Sequence, residues 1–252
     1  MILRWVVDHP LVVLALSFAA LWAAIRAGAS RCRAAPSPAG DEREAFRVVL
    51  GATLTLLGLI IGFSFSMAVG RYDQRKAYEE AEANAVGTEF LRLDLLPAGT
   101  AAAAKELLRS YVQQRIAFYE ERDDEVLARI DADTAALQRR LWTSVLAAAP
   151  PTPVAALAVA GMNDVLNSQG YTQAIWWNRI PEGAWLLMAM MAVIACTLTG
   201  YGAREARPLV VLPAVLAVAF FFVSDIDSPR HGLIRVVPRD LVSLAASMRA
   251  GE

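Results

Sequence analysis

Residues 48–70 read VVLGATLTLLGLIIGFSFSMAVG, between Arg47 on one side and Arg71-Tyr72-Asp73-Gln74-Arg75-Lys76 on the other. These 23 residues carry no charge. As an α-helix they rise about 34 Å, enough to cross a hydrocarbon core of about 30 Å. The stretch is read as a transmembrane helix. Beyond Arg71 only Gly87 interrupts residues 72–95, and the first proline is Pro97. The helix is therefore expected to leave the bilayer and continue without a break.

Three further charge-free runs lie at 12–25, 183–203 and 208–224. They account for a composition that is 56% hydrophobic with a mean hydropathy of +0.40 over 252 residues, well above a soluble domain. The expected architecture is all-α, a multi-pass membrane protein with four transmembrane helices and a helical bundle inserted between the second and third. Its segments are a first transmembrane helix at 1–27, a connecting loop at 28–47, a second helix at 48–70 and an extramembrane helical domain at 71–182. A third helix at 183–203, a fourth at 208–224 and a polar C-terminal tail at 225–252 follow. The fourth run is short and contains Pro213, so it must kink, thin the bilayer or borrow length from its flanks. In the first, Arg4, the apolar run and Ala27-Gly28-Ala29 resemble a cleaved secretory signal, with Asp8 and Arg26 arguing against cleavage.

Residues 71–182 hold 12 basic and 16 acidic side chains, and punctuation at 96–99, 122–124, 150–153 and 178–181 divides them into helix-length intervals. Ala77, Ala81, Asn84, Thr88, Leu91 and Leu95 recur at steps of 4 and 3, a seam suited to close helix packing. A helix from Thr100 places Leu107, Leu108, Tyr111, Val112, Arg115, Ile116 and Tyr119 on one side. One from Asp124 presents Val126, Leu127, Ile130, Leu137, Leu141 and Val145. A third opens with Thr152 as N-cap and Pro153 in its first turn. Trp176, Trp177 and Trp185 beside Arg179 suit an interfacial aromatic belt. The loops 26–47 and 201–207 hold five and two basic residues, favouring a cytoplasmic side for them. Arg71, Arg75, Lys76, Arg179, Arg230, Arg235 and Arg239 crowd the opposite face, so the charge rule leaves sidedness nearly balanced.

Several chemistries have no motif here. The chain has two histidines and no HExxH, Walker loop or GxGxxG; GFSFS at 62–66 lacks the final glycine of a nucleophile elbow. No catalytic residue, metal site or cofactor is assigned, and the net charge of −1 argues against nucleic acid. Cys32 and Cys196 make no disulfide framework. What does stand out is one face of the second helix, where Gly51, Thr55, Gly58, Gly62, Ser66 and Gly70 recur at steps of 3 and 4. Small residues let helices approach closely; a small, hydroxyl-bearing face also suits a permeation path, with Ile61, Phe63, Phe65 and Val69 as candidates for its constriction. Counting crossings brings Arg71, Asp73 and Arg75 to the same membrane face as Asp225, Asp227 and Arg230. Charges half-buried at that level need partners. The set is read as an ion-paired collar at the exit, in preference to a metal site on Asp225 and Asp227, because hard cations want six or more oxygens. His9 and His231 fall on the same face and titrate near neutrality when unperturbed.

Gly62-Phe-Ser-Phe-Ser running into Arg71-Tyr72-Asp73, the segment Glu80-Ala81-Glu82-Ala83-Asn84-Ala85-Val86-Gly87, and Asp225-x-Asp227-x-Pro229-Arg230-x-Gly232 together resemble a bacterial family of four-helix membrane proteins with a bestrophin-like domain. The resemblance extends over residues 45–240. It implies an integral protein of the bacterial inner membrane with a helical domain between its second and third spans. Distant kinship to bestrophin anion channels implies a homo-oligomer in the lipid bilayer, its second helix around a pore for small anions. The chain departs from bestrophins in lacking an acidic calcium-clasp segment. A non-conducting scaffold or sensor, its helical domain binding a partner, is the alternative.

Overall fold

The computed structural model of the chain describes residues 2–34, 40–148, 152–153, 155–203 and 207–250. Every regular element among the described residues is helical: α1 (Ile2–Val7), α2 (Pro10–Ala34), α3 (Gly40–Arg92), α4 (Ala98–Glu120), α5 (Asp124–Ala148), α6 (Ala155–Trp177), α7 (Glu182–Tyr201), α8 (Val211–Asp227) and α9 (Arg239–Ala250). Short 3₁₀ turns at Leu93–Leu95 and Arg207–Val210 follow α3 and precede α8. The 53 residues of α3 span about 80 Å, with Asp41 and Glu42 complementing the helix dipole in its first turn.

Several boundaries differ from those expected. The first segment is two helices, broken at Asp8-His9 because Pro10 starts α2 at the position a proline tolerates best. Helix covers most of the expected connecting loop, since α2 continues to Ala34 and α3 begins at Gly40. The stretch expected as a polar tail carries the amphipathic α9. Among the described residues, three stretches are long and apolar enough to cross a membrane: Pro10–Arg31, Asp41–Leu95 and Ala155–Tyr201. The fourth expected span is α8, whose 17 residues rise about 25 Å.

The described residues divide into two units. One comprises Met1–Arg71 and Arg179–Arg235, the other Tyr72–Asn178 and Val236–Glu252. In the first, α2 packs on α7 and α8, burying Leu21, Ile25 and Ala29 of α2, Met188, Ala192 and Cys196 of α7, and Leu216, Ala217 and Phe220 of α8. Two glycines set the closeness of α2 and α7. A Cβ added at Gly28 would lie 2.1 Å from the Thr197 carbonyl oxygen, and one at Gly200 would lie 2.1 Å from that of Ile25. The Ala27-Gly28-Ala29 triplet, which reads as a signal cleavage site, is thus inside a helix at a backbone-to-backbone crossing. Trp185 is buried, not held at a surface.

In the second unit α4, α5, α6 and α9 join residues 72–92 of α3. The faces expected for α4 and α5 point inward: Leu108, Tyr111, Val112, Arg115 and Tyr119 are buried, as are Leu127, Ile130, Leu141 and Val145. At the start of α6, Thr152 Oγ1 accepts the Ala155 amide at 3.2 Å, as an N-cap does. Trp176 packs edge-on against Phe118 and Tyr119 with ring centroids 5.1 and 5.4 Å away; of the three tryptophans read as a belt, only Trp177 is exposed. The seam on α3 has to be corrected as well. Ala77, Ala81, Asn84, Thr88, Leu91 and Leu95 are all exposed, and the inward register is Glu79, Glu82, Val86, Glu89 and Leu93. Both sets repeat at 3 and 4, and polarity alone puts the alanines inside; partners on other helices put the glutamates there instead.

Candidate functional site

The small-residue face of α3 is uncovered in the protomer. Gly51, Thr55, Gly58, Gly62, Ser66 and Gly70 are exposed, and a Cβ added at any of the four glycines meets nothing within 4 Å. These glycines therefore behave differently from Gly28 and Gly200, which are already spent on contacts within the chain. The buried side of this part of α3 is Leu57, Ser64 and Ala68. Thr55 donates its hydroxyl to the Gly51 carbonyl at 2.9 Å, so it presents oxygen rather than a free donor along the stripe.

The expected constriction residues do not share one side. At about 100° per residue, Val69 falls within the arc of the small stripe, Phe65 and Phe63 border its two edges about 160° apart, and Ile61 lies toward the buried side. Ile61 and Val69 are half-buried, while Phe63 is 65% and Phe65 41% exposed.

At the end of α8 the sequence Ser224-Asp225-Ile226-Asp227-Ser228 is buried residue by residue, and each polar group has its own partner. Asp227 accepts the Ile180 amide on both oxygens at 3.2 and 3.1 Å, and Arg71 Nη1 stands 3.4 Å from its Oδ1. Asp225 accepts the Leu233 amide at 2.6 Å and the Ile234 amide at 3.0 Å, one on each oxygen. Ser224 donates to the Val7 carbonyl at 2.6 Å and Ser228 to that of Asp8 at 3.2 Å, while Asp8 pairs with Arg179. The DxD pair thus ties the start of the chain, the entry to α7 and the loop after α8 to one point. Gly232 closes that loop, since a Cβ there would lie 2.2 Å from the Asp225 carbonyl oxygen.

Of the six residues read as a collar, the structure brings Arg71 and Asp227 into contact, and Asp225 holds backbone amides. Arg230 is half-buried, Arg75 is buried at 1% exposure and Asp73 is exposed. All four carboxylate oxygens of the DxD pair already accept hydrogen bonds from the protein. A cation bound there would have to displace them. His9 and His231 stack with centroids 5.0 Å apart, and His9 Nδ1 lies 2.7 Å from the Trp5 carbonyl oxygen.

Sequence reasoning missed the polar interior of the second unit. Glu82, fully buried, accepts from Arg115 Nε at 2.5 Å and Nη2 at 3.3 Å, from Thr172 Oγ1 at 3.0 Å and from the Tyr111 hydroxyl at 3.4 Å. Burial alone would push the Arg115 guanidinium down, but Glu82 and Tyr111 beside it hold it above its ordinary value. Burial, with the Glu82 charge next to it, raises the Tyr111 phenol. One signal was readable, because Arg115 lies on the apolar side of α4, where an arginine requires a buried acceptor.

No protein-family model matches the chain, and no curated protein matches it. Two crystal structures of point variants of a bacterial bestrophin homologue from Klebsiella pneumoniae are similar to it. The first has a TM-score of 0.66 at 11% identity, over 96% of this chain and 98% of that one. The second has a TM-score of 0.58 at 12% identity, over 93% and 98%. The likeness is one of fold and extends nearly end to end.

Proposed function

We propose that the chain is one subunit of a homo-oligomeric bestrophin-like anion channel of the bacterial inner membrane, with α3 of each subunit against a central path. The observation that carries this reading is the open face of α3, where four glycines and two hydroxyl residues line the helix and touch nothing in the protomer. A helix in lipid gains by covering such a face with another helix, because small residues bring backbones within van der Waals contact. A ring of them leaves a passage in which Val69, on the stripe, and Phe63 and Phe65, at its two edges, are the bulky side chains that set the width. Lys76, exposed beyond the end of the apolar stretch, supplies positive charge there, which favours anions entering from that side. The four expected spans belong to this proposal, with α8 crossing as a short helix in locally thinned lipid.

The reading is tested by anion flux from vesicles carrying the purified protein. Flux above that of protein-free vesicles is expected, and no flux at any tested pH or calcium concentration overturns it. The alternative, a non-conducting scaffold or sensor, is favoured by the exposed seam from Ala77 to Leu95, which offers a partner a smooth helix face. A strictly monomeric mass in detergent and in lipid would support that alternative.

A further inference from the structure

Where α2 begins, the first unit presents exposed apolar and basic side chains from two segments. Trp5 of α1 is 57% exposed, and Leu233 and Ile234, in the loop after α8, are 77% and 39% exposed. Arg4 is exposed beside Trp5, and Arg235, half-buried, follows Ile234. The two segments are held together. Trp5 packs against His9 with ring centroids 4.5 Å apart, and His9 stacks on His231 at 5.0 Å. Ser224 and Ser228 donate to the Val7 and Asp8 carbonyls, which puts the end of α8 at the level of the break between α1 and α2. Asp225 accepts both the Leu233 and the Ile234 amide, so the loop is fixed while these two side chains stay outside. The first stretch apolar enough to cross a membrane starts at Pro10, just after this level.

We propose that Arg4, Trp5, Leu233, Ile234 and Arg235 form a binding surface for an anionic phospholipid, the arginines taking its headgroup and the apolar side chains its glycerol and upper acyl carbons. Exposed tryptophan, leucine and isoleucine gathered in one place require a cover. Next to a span that cover is lipid, and tryptophan settles at headgroup level with its ring toward the chains and its N–H toward water. An arginine stem lies along apolar surface while its planar guanidinium reaches phosphate. A zwitterionic headgroup offers the same phosphate but carries its own cation, so the two arginines prefer anionic lipid.

The neighbouring carboxylates are engaged within the protein. Asp8 pairs with Arg179, Asp225 holds the two loop amides, and Asp227 holds the Ile180 amide and Arg71. Against Glu182, exposed in the first turn of α7, stand Arg4, Arg230 and Arg235, a positive balance. The surface rests on the membrane placement of α2 and does not require conduction.

The test is titration of the detergent-solubilised full chain with phosphatidylglycerol or phosphatidylcholine, with bound lipid read by native mass spectrometry. A basic side chain at an anionic surface is worth about fivefold, so a preference for phosphatidylglycerol of about tenfold or more is expected. The Arg4→Gln, Arg235→Gln double variant should lose this preference, and Trp5→Ser with Leu233→Ser should weaken both lipids alike. Arg139→Gln with Arg140→Gln removes the same charge from exposed positions on α5 and should leave the preference intact. Equal binding of the two lipids by the unaltered protein overturns the proposal. So does a full preference in the folded Arg4, Arg235 variant, or an equal loss in the α5 variant. Retention of neither lipid would overturn the membrane placement as well, which separates the two failures.

Discussion

Removing the Arg71 side chain would leave Asp227 buried with two amide contacts and without that cation, and removing Asp227 would strand both Arg71 and the Ile180 amide. Breaking one side of such a pair costs about 3–5 kcal/mol. Asp227→Ala and Arg71→Ala should therefore each lower the unfolding free energy, and the double variant should lose about 0.5–3 kcal/mol less than the sum. Asp225→Ala with Arg71→Ala should be close to additive, because Asp225 holds Leu233 and Ile234. Denaturant unfolding of the unaltered protein, the three single variants and the two double variants checks both statements. A second residue prediction concerns Glu89, fully buried with both oxygens lacking a hydrogen-bond partner and with Oε2 against Gly161. Burial raises its carboxyl to about 8, with Arg92 pulling it down and Asp164 pushing it up. The folded state then binds a proton that the unfolded state has released, so stability falls as pH rises from the ordinary 4.5 to about 8. Glu89→Gln should flatten this decline in melting temperature, and a decline as steep as in the unaltered protein would show that Glu89 is not its source.

At the scale of the element, glycines of similar spacing fall into two groups. Gly28 and Gly200 sit where α2 and α7 touch backbone to backbone, while Gly58 and Gly62 face open space. Gly28→Ala or Gly200→Ala should destabilise the protomer by about 1–3 kcal/mol, the usual cost of overpacking. Gly58→Leu with Gly62→Leu should leave protomer folding intact, as read by circular dichroism, and abolish the oligomer measured by mass in detergent. An intact oligomer would remove the packing role from this face. The sequence made the small face of α3 and the length of that helix plain, since charge-free length and absence of breakers are local properties. It could not separate the two kinds of glycine, because that depends on which helix arrives opposite. For the same reason the inward seam of α3 was misread. Nothing local distinguishes Glu82 from Ala81 as an inward residue until Arg115, 33 positions away, meets it. The DxD pair reads in the sequence as half of an ion-paired collar; Arg71 does meet Asp227, whereas the amides of Ile180, Leu233 and Ile234 that hold the two carboxylates carry no side-chain signature.

For the molecule as a whole, the unpartnered face of α3 supports the proposal that the protomer is completed by copies of itself, while the exposed seam at Ala77–Leu95 is the feature that favours the scaffold alternative. The division of labour follows from the same physics. The DxD knot and the α2–α7 crossing fix the first unit; Glu82–Arg115 fixes the second; α3 contributes residues to both and keeps one face free. The most direct measurement is chloride efflux from liposomes reconstituted with the unaltered protein and with the Gly58→Leu, Gly62→Leu double variant, followed by a chloride electrode. The account predicts efflux well above protein-free liposomes for the unaltered protein and background efflux for the variant. Background efflux from a verified oligomer of the unaltered protein would contradict it.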